Sequence, residues 1–112
     1  MSYDRLNAYR TMWVMVMFDL PTETKSQRKR ASLFRKNLIK DGFNMFQFSA
    51  YLRYCPSIEN AYVHIKRVKG HLPKEGKVGI LSFTDKQWGR MEIFYKGSKS
   101  KIEVAPRQLE IF

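Results

Sequence analysis

The chain has 112 residues, 44% hydrophobic and 14% aromatic, which is enough for one folded domain and too apolar for a disordered basic tail. Its 21 Lys and Arg against 10 Asp and Glu give a formal net charge of +11, which favours a polyanionic partner: nucleic acid, an anionic membrane or an acidic protein. The longest apolar run, Met12 to Phe18, falls short of the roughly 18 residues that span a bilayer, and no signal peptide precedes it, so we expect a cytoplasmic protein without a membrane partner.

The first element is predicted to be a central strand. Residues 1–10 are mixed and polar, and residues 11–18 form a nearly continuous apolar run, typical of a strand buried on both faces. The run ends at Asp19, and the sequence Leu20-Pro21-Thr22-Glu23 breaks it. Trp13, like Trp88 later in the chain, is expected in the core.

A basic helix is predicted next. Thr24 and Gln27 have the spacing of a capping box, and Gly42 after Asp41 is a C-terminal stop signal. The predicted core stripe consists of Ala31, Phe34 and Leu38. The basic ridge, which we define as four lysines sharing another face of the helix, consists of Lys25, Lys29, Lys36 and Lys40. Leu33 lies within this ridge, either as a flanking contact or as part of a partner surface.

The rest of the chain alternates between strands and a second helix. Residues 43–53 alternate in polarity as one long strand, with Phe46, Phe48, Ala50 and Leu52 on its core side. The single Cys55 excludes an intramolecular disulfide and fits a reducing compartment, and Cys55-Pro56-Ser57 starts a helix that ends near Gly70. Its predicted core stripe is Ile58, Ala61, Ile65 and Val68. The elements that follow are a turn at 72–76, a strand at 78–84, a helical turn at 85–88, a strand at 91–95, a flexible linker at 97–101 and a terminal strand at 108–112.

This order predicts an α+β fold of the ferredoxin-like type, with two helices on one face of a four-stranded antiparallel sheet. The predicted domain covers residues 1–96, and residues 97–112 form a linker and a C-terminal strand. Because so small a sheet leaves the last strand without an internal place, we expect it to pair with the sheet edge of a second subunit in a homodimer.

Asp19 is the leading candidate for chemistry, because it stands where the apolar strand ends and a capped helix follows. It is placed either to hold a hard cation such as Mg²⁺ or to accept backbone N–H bonds in the loop that follows. Two copies related by a two-fold axis would supply two carboxylates to one metal. His64 and His71 share one side of the second helix but lack a third ligand between them.

The candidate nucleic-acid contacts are cationic and aromatic side chains. Arg28 and Arg30 are placed to bind phosphate or to form a solvated helix face. Tyr51, Arg53 and Tyr54 either hold a nucleic acid strand or pack within the sheet. The complete set of predicted nucleic-acid-binding residues comprises the four ridge lysines, Arg28, Arg30, Arg53 and the cluster Lys66, Arg67 and Lys69.

Several of these segments resemble a known family. The strand end Phe18-Asp19-Leu20-Pro21-Thr22, the segment Gln47-Phe48-Ser49-Ala50-Tyr51 and the turn Leu72–Gly76 look like the CRISPR-associated family-two protein, most of all in its Type II form. This small adaptation subunit is also described as an endoribonuclease. The resemblance runs from about Met12 to Met91.

The resemblance implies a ferredoxin-like homodimer that captures spacer DNA together with the larger integrase subunit. It implies that Asp19 is the catalytic residue and Mg²⁺ ligand, and that Arg28 and Arg30 match basic positions of the family. Two hypotheses remain: a Mg²⁺-dependent phosphodiesterase acting on RNA or DNA, and a non-catalytic adaptor that binds duplex DNA and bridges integrase subunits. The spread of charge over helices favours the adaptor. A third hypothesis, the alternative to both, is a non-catalytic domain of the same fold that binds single-stranded RNA, although residues 77–83 lack its aromatic pattern.

Overall fold

The computed structural model describes residues 11–95 and 98–100. The elements in chain order are β1 (Met12–Asp19), α1 (Lys25–Lys40), β2 (Asn44–Gln47), β3 (Ala50–Cys55), α2 (Ile58–Lys69), β4 (Lys77–Thr84), α3 (Asp85–Trp88), β5 (Ile93–Tyr95) and β6 (Ser98–Ser100). In this part of the chain, no helix has both the length and the apolar character needed to cross a membrane.

The main sheet has the strand order β2-β3-β1-β4, and every neighbouring pair is antiparallel. With α1 after β1 and α2 after β3, the chain follows the βαββαβ order of a ferredoxin-like fold, which confirms the predicted fold class. The apolar run of β1 is central, as its sequence predicts, because β3 and β4 flank it on either side.

Both long helices pack on one face of the sheet. Alternate side chains of β1 (Val14, Val16 and Phe18) point to this face and join one buried cluster, because successive strand residues face opposite sides. The helices complete the cluster with Phe34, Leu38, Ala61 and Val68. The predicted stripe of α1 is therefore confirmed. In α2, His64 is buried, whereas Ile58 is 38% exposed, so His64 replaces it in the core.

The other face of the sheet, which we call the helix-free face, is covered at one end only. There Trp13 and Met15 pack with Leu52 and Trp88, which confirms both tryptophans as core residues. The indole Nε1 of Trp13 donates a 2.8 Å hydrogen bond to Asp85, which fixes α3 against β1. Met17, nearer to Asp19, remains 40% exposed, and Leu81, which pairs with Met15 from strand β4, remains 50% exposed.

The helix start and stop signals act as the sequence predicts. The hydroxyl of Thr24 accepts from the Gln27 backbone N–H at 3.0 Å, and the Gln27 amide oxygen accepts from the Thr24 backbone N–H at 2.9 Å. Helix α1 ends at Lys40 with Asp41 as its C-cap, and Gly42 follows with a φ of +88°, a conformation that favours glycine. Ser57 caps α2, and Gly70 is its C-cap.

The prediction of one long strand over residues 43–53 is wrong. The chain reverses direction between Gln47 and Ala50, so that β2 pairs with β3 as a hairpin. The carbonyl of Ser49 accepts a 2.9 Å hydrogen bond from the backbone N–H of Phe18, which fixes the reversal at the end of β1. As a result Phe48, predicted on the core side, lies at the hairpin tip with 68% of its surface exposed.

The segment 91–95 is likewise not the fourth strand of the main sheet, since the hairpin already supplies that strand. Its Ile93–Tyr95 portion pairs instead with Ser98–Ser100 in a separate two-stranded sheet. Strand β6 thus lies within the segment that was predicted to be a flexible linker. The terminal strand at 108–112 and its pairing across a dimer lie outside the described residues, and the domain division after residue 96 stays a prediction.

Candidate metal centre and nucleic-acid interface

Asp19 is the last residue of β1 and lies on the helix-free face, two positions beyond Met17. Its side chain is exposed and lines an open groove of about 500 Å³ together with Gln47, Ser49 and Lys77. Within the described residues, the carboxylate forms no hydrogen bond or ion pair. The alternative in which Asp19 accepts backbone N–H bonds from the following loop therefore finds no support in this part of the chain.

The backbone of Asp19 is held firmly although its carboxylate is open. The ring of Phe18, the preceding residue, is buried between two other rings. The centroid of Phe34 lies 5.2 Å away in an edge-on arrangement, and that of Tyr51 lies 5.7 Å away in a stacked one. Gly76, with a φ of +92°, lies so close that a Cβ atom there would be 2.8 Å from the Asp19 carbonyl oxygen. The sequence thus fixes the position of the carboxylate without neutralising it.

The donor set of this groove fits Mg²⁺ only as a shared site. In the described part of the chain, no three His, Cys, Asp or Glu side chains lie together as a ligand cluster. Mg²⁺ keeps several of its waters and often binds through one or two carboxylates, so one Asp19 from each of two copies is a sufficient protein contribution. Lys77 lies opposite Asp19 in the β1–β4 register and adds positive charge beside the groove.

The basic ridge of α1 exists as predicted. All four lysines are exposed, and their positions along the helix place them within an arc of about 60° over a length of about 22 Å. None of them forms an ion pair with another described residue. Leu33 interrupts this surface with 57% exposure. The ridge therefore presents four unneutralised charges in a row, as contacts to successive phosphates require.

The arginines near Asp19 serve the protein's own structure. Arg28 donates hydrogen bonds to the carbonyls of Thr22 and Glu23, at 3.0 and 3.1 Å, and so braces the loop that joins β1 to α1. Arg30 forms an ion pair with Glu75 and a hydrogen bond to Ser26. The structure therefore brings the ridge lysines together and engages both arginines in local contacts.

In the second basic cluster, Lys66, Arg67 and Lys69, the lysines are likewise unpaired among the described residues and the arginine is engaged in a local contact. Lys66 and Lys69 are exposed, whereas Arg67 donates a 2.8 Å hydrogen bond to Asp41. Arg53 is directed inward: its guanidinium lies against Gly42, and Nη1 donates to the Tyr54 carbonyl at 3.3 Å. Only the two lysines of this cluster are thus unpaired on the surface of the described region.

Asp41 joins the C-terminal end of α1 to α2. One carboxylate oxygen contacts Nδ1 of the buried His64 at 2.8 Å, and the other accepts from Arg67 at the same distance. Burial acts to raise the pKa of Asp41, but the hydrogen bonds and charges of His64 and Arg67 together outweigh it and lower the pKa below its ordinary value. His64 is therefore a structural partner of Asp41, and the ring of His71 lies 5.5 Å from that of Phe34.

The aromatic residues predicted to stack on nucleic acid are in the core, in line with the packing alternative. Tyr51 is 2% exposed, and Tyr54 packs edge-on against Trp13 at 5.5 Å. Phe48, at the tip of the β2–β3 hairpin, is exposed instead, and sequence reasoning missed this because the residue was assigned to a continuous strand. A 3.8 Å contact joins its ring centroid to the guanidinium carbon of Arg35.

Taken together, the fold and this surface define a ferredoxin-like protein with a strand-end carboxylate and a basic helix. Comparison with known proteins agrees: residues 12–91 match the family described as "CRISPR associated protein Cas2", and the chain belongs to this family. The family membership inferred from the resemblance is thereby confirmed.

Similar proteins from several bacteria cover nearly the whole chain. A protein of Flavobacterium psychrophilum named "CRISPR-associated endoribonuclease Cas2" is 54% identical over 110 residues, which span 98% of this chain and 96% of the relative. Proteins of the same name from Parvibaculum lavamentivorans and Paracidovorax avenae are each 46% identical, over 101 and 107 residues. These matches cover 90% and 96% of this chain, and 100% and 99% of the relatives.

Proposed function

We propose that the chain is a CRISPR adaptation subunit that binds duplex DNA as a homodimer and bridges copies of the integrase subunit. The observation that carries this proposal is the basic ridge: four exposed lysines in one row on α1, without an ion pair among the described residues. A regular row of point charges suits the sequence-independent phosphate contacts that dominate DNA binding. Two copies together carry +22, twice the formal charge of one chain.

The helix-free face supports the homodimer. Met17 and Leu81, in adjacent strands of the sheet, are 40% and 50% exposed, and Met17 lines the open groove beside Asp19. Exposed apolar side chains in the interior of a sheet are typical of an interface. A second copy placed on this face by a two-fold axis would cover them and bring the two Asp19 carboxylates toward one another.

The DNA-binding proposal is tested by the salt dependence of binding to a short duplex, measured by fluorescence anisotropy. Each phosphate contact contributes about 0.9 to the slope of log K against log salt concentration, so the double variant Lys29→Gln/Lys36→Gln should flatten the slope by about 1.8 for each ridge of the dimer that contacts the duplex. The matched control is Lys86→Gln/Arg90→Gln, which removes the same charge from exposed residues outside the ridge. Equal flattening by both variants would show that only net charge matters and would overturn the ridge as the binding surface.

A second function, Mg²⁺-dependent phosphodiester cleavage, is proposed for Asp19. Its support is the exposed carboxylate with no partner among the described residues, together with the names of the relatives, which call those proteins endoribonucleases. A Mg²⁺ ion held there would neutralise phosphate charge and lower the pKa of a bound water. The protein's own residues hold the Asp19 backbone in place, and Lys77 offers positive charge to a phosphate in the groove.

Cleavage of labelled single-stranded RNA and duplex DNA with and without a chelator tests this second function. We expect Asp19→Asn, which keeps the shape and removes the charge, to abolish cleavage, while Glu23→Gln, an exposed carboxylate outside the groove, leaves it intact. Cleavage that survives Asp19→Asn would refute the site.

The two proposed activities lie on opposite faces of the sheet. The ridge belongs to α1, which packs against the face of Val14, Val16 and Phe18, whereas Asp19 points to the helix-free face. We therefore expect Asp19→Asn to leave duplex affinity unchanged, and the lysine variants to leave a metal-dependent cut in short RNA unchanged, because distant sites act independently.

A further inference from the structure

Phe48 is a large aromatic side chain that is exposed to solvent. It lies at the tip of the β2–β3 hairpin with 68% of its surface exposed, in a position that the alternating sequence would give to the core. Leaving such a ring in water forfeits the free energy that its burial would provide. An exposed aromatic ring beside a cationic side chain has the chemistry on which nucleobases stack, since every base has a π-face.

Arg35 holds this ring in one orientation. Its guanidinium carbon lies 3.8 Å from the centroid of the Phe48 ring, and its Nε donates a 3.3 Å hydrogen bond to the Phe48 carbonyl. The same guanidinium lies 5.2 Å from the ring of the buried Phe18. Arg35 therefore links the exposed ring to the core, and the ring is positioned before any ligand arrives.

The guanidinium covers one side of the Phe48 ring, and the remaining surface is accessible to solvent. The residues on either side of Phe48 in the chain, Gln47 and Ser49, are exposed hydrogen-bonding side chains that line the groove containing Asp19. Lys36, in the basic ridge, follows Arg35 directly on α1. A flat apolar surface is thus combined with polar groups, and the guanidinium of Arg35 supplies positive charge at the ring itself.

We propose that Phe48 is a stacking site for an unpaired nucleobase, positioned by Arg35, with the attached phosphate chain directed along the Asp19 groove. This inference rests on the proposed binding of nucleic acid and names the form that would occupy this site: a single-stranded segment of RNA or DNA. Stacking on an exposed aromatic ring is tolerant of base identity, so the site selects unpaired strands and not a sequence.

The test compares binding of two labelled single strands of equal length and charge, one with normal bases and one with abasic positions. Stacking of one base contributes about 1–3 kcal/mol, so the wild-type protein should prefer the base-bearing strand by about 5- to 150-fold. Phe48→Leu, which keeps the apolar bulk but not the aromatic face, should abolish this preference without changing affinity for the abasic strand. Phe48→Trp should keep it.

Phe94→Leu is the matched control, because Phe94 is 60% exposed and lies in the separate β5–β6 sheet. It should leave the preference intact. Arg35→Lys, which keeps the charge but not the planar group over the ring, should reduce the preference. Parallel deoxyribose and ribose versions of the strands identify which kind of single strand binds more tightly.

A wild-type protein that binds both strands equally, or a Phe48→Leu variant that retains the preference, would overturn the stacking site. A Phe48→Leu variant whose oligomeric state in solution differs from that of the wild type would also overturn it, since Phe48 would then be a subunit contact. Failure of the stacking site is distinguishable from failure of the proposed function: in the first case the wild type still binds duplex DNA with the salt dependence of the lysine ridge, and in the second it does not.

Discussion

The bridge from Asp41 to His64 and Arg67 should be a principal stabilising contact between the two long helices. Replacing Asp41 with Ala removes both 2.8 Å hydrogen bonds and leaves Nδ1 of the buried His64 without its partner. The backbone cost is small, because Asp41 has an ordinary φ of −85°. The decrease in the free energy of unfolding therefore measures the contribution of the Asp41 side chain.

The two halves of this bridge should differ in strength. The contact with His64 is buried, at 5% and 12% side-chain exposure, and hydrogen bonds to charged groups in such places contribute about 1.5–3 kcal/mol. The Arg67 side chain is 59% exposed, so its contact should contribute less than about 1 kcal/mol. We expect Asp41→Ala to lower the free energy of unfolding by about 2–3 kcal/mol and Arg67→Ala by less than about 1 kcal/mol.

Urea denaturation followed by circular dichroism measures both losses. Because the pKa of Asp41 is lower in the folded protein than its ordinary value of 3.8, its contribution is fully present above about pH 4 and is lost as the pH falls through the folded-state pKa. The difference between wild type and Asp41→Ala should shrink accordingly in acid. Equal losses for Asp41→Ala and Arg67→Ala, or a loss that does not change in acid, would refute the reasoning.

Three further predictions concern other parts of the fold. Gly76→Ala should destabilise the protein by more than about 1 kcal/mol and weaken any Asp19-dependent cleavage, because the new Cβ meets the Asp19 backbone. Urea denaturation and cleavage assays measure the two effects, and unchanged stability and cleavage would contradict the prediction. Burial raises the pKa of the Cys55 thiol to about 11, so the native protein should resist thiol reagents at pH 8 and react only after unfolding. Rapid labelling of Cys55 in the native protein would contradict this prediction. Thr24→Ala should cost about 1 kcal/mol through the lost capping box, measured in urea, whereas Thr22→Ala, outside the cap, should be neutral.

The helices and the central strand could be predicted because their signals are local. The capping box at Thr24 and Gln27, the stop at Gly42 and the apolar run of β1 each depend on neighbouring residues, and each is found where the sequence places it. The position of Asp19 at a strand end follows from the same reasoning. The basic ridge could be predicted for the same reason, since helical spacing alone places its lysines on one face.

The features that sequence reasoning missed depend on contacts distant in the chain. The reversal at Phe48 and Ser49 carries no glycine, proline or asparagine, and is fixed by the hydrogen bond between Ser49 and Phe18, about thirty residues apart. The burial of His64 depends on its contact with Asp41, the C-cap residue of the other long helix. Arg30 and Arg67 appeared as free phosphate ligands because their acidic partners lie far away in sequence.

The two tryptophans make the molecule its own spectroscopic probe. Trp13 and Trp88 stack at 5.1 Å with an interplanar angle of 28°, in a cluster at the end of the helix-free face away from Asp19. Since the chain contains no other tryptophan, its tryptophan fluorescence reports on this one cluster. A change in tryptophan emission on adding nucleic acid would therefore mean that binding alters the packing of this distant cluster. Unchanged emission would mean that the sheet keeps its structure when nucleic acid binds.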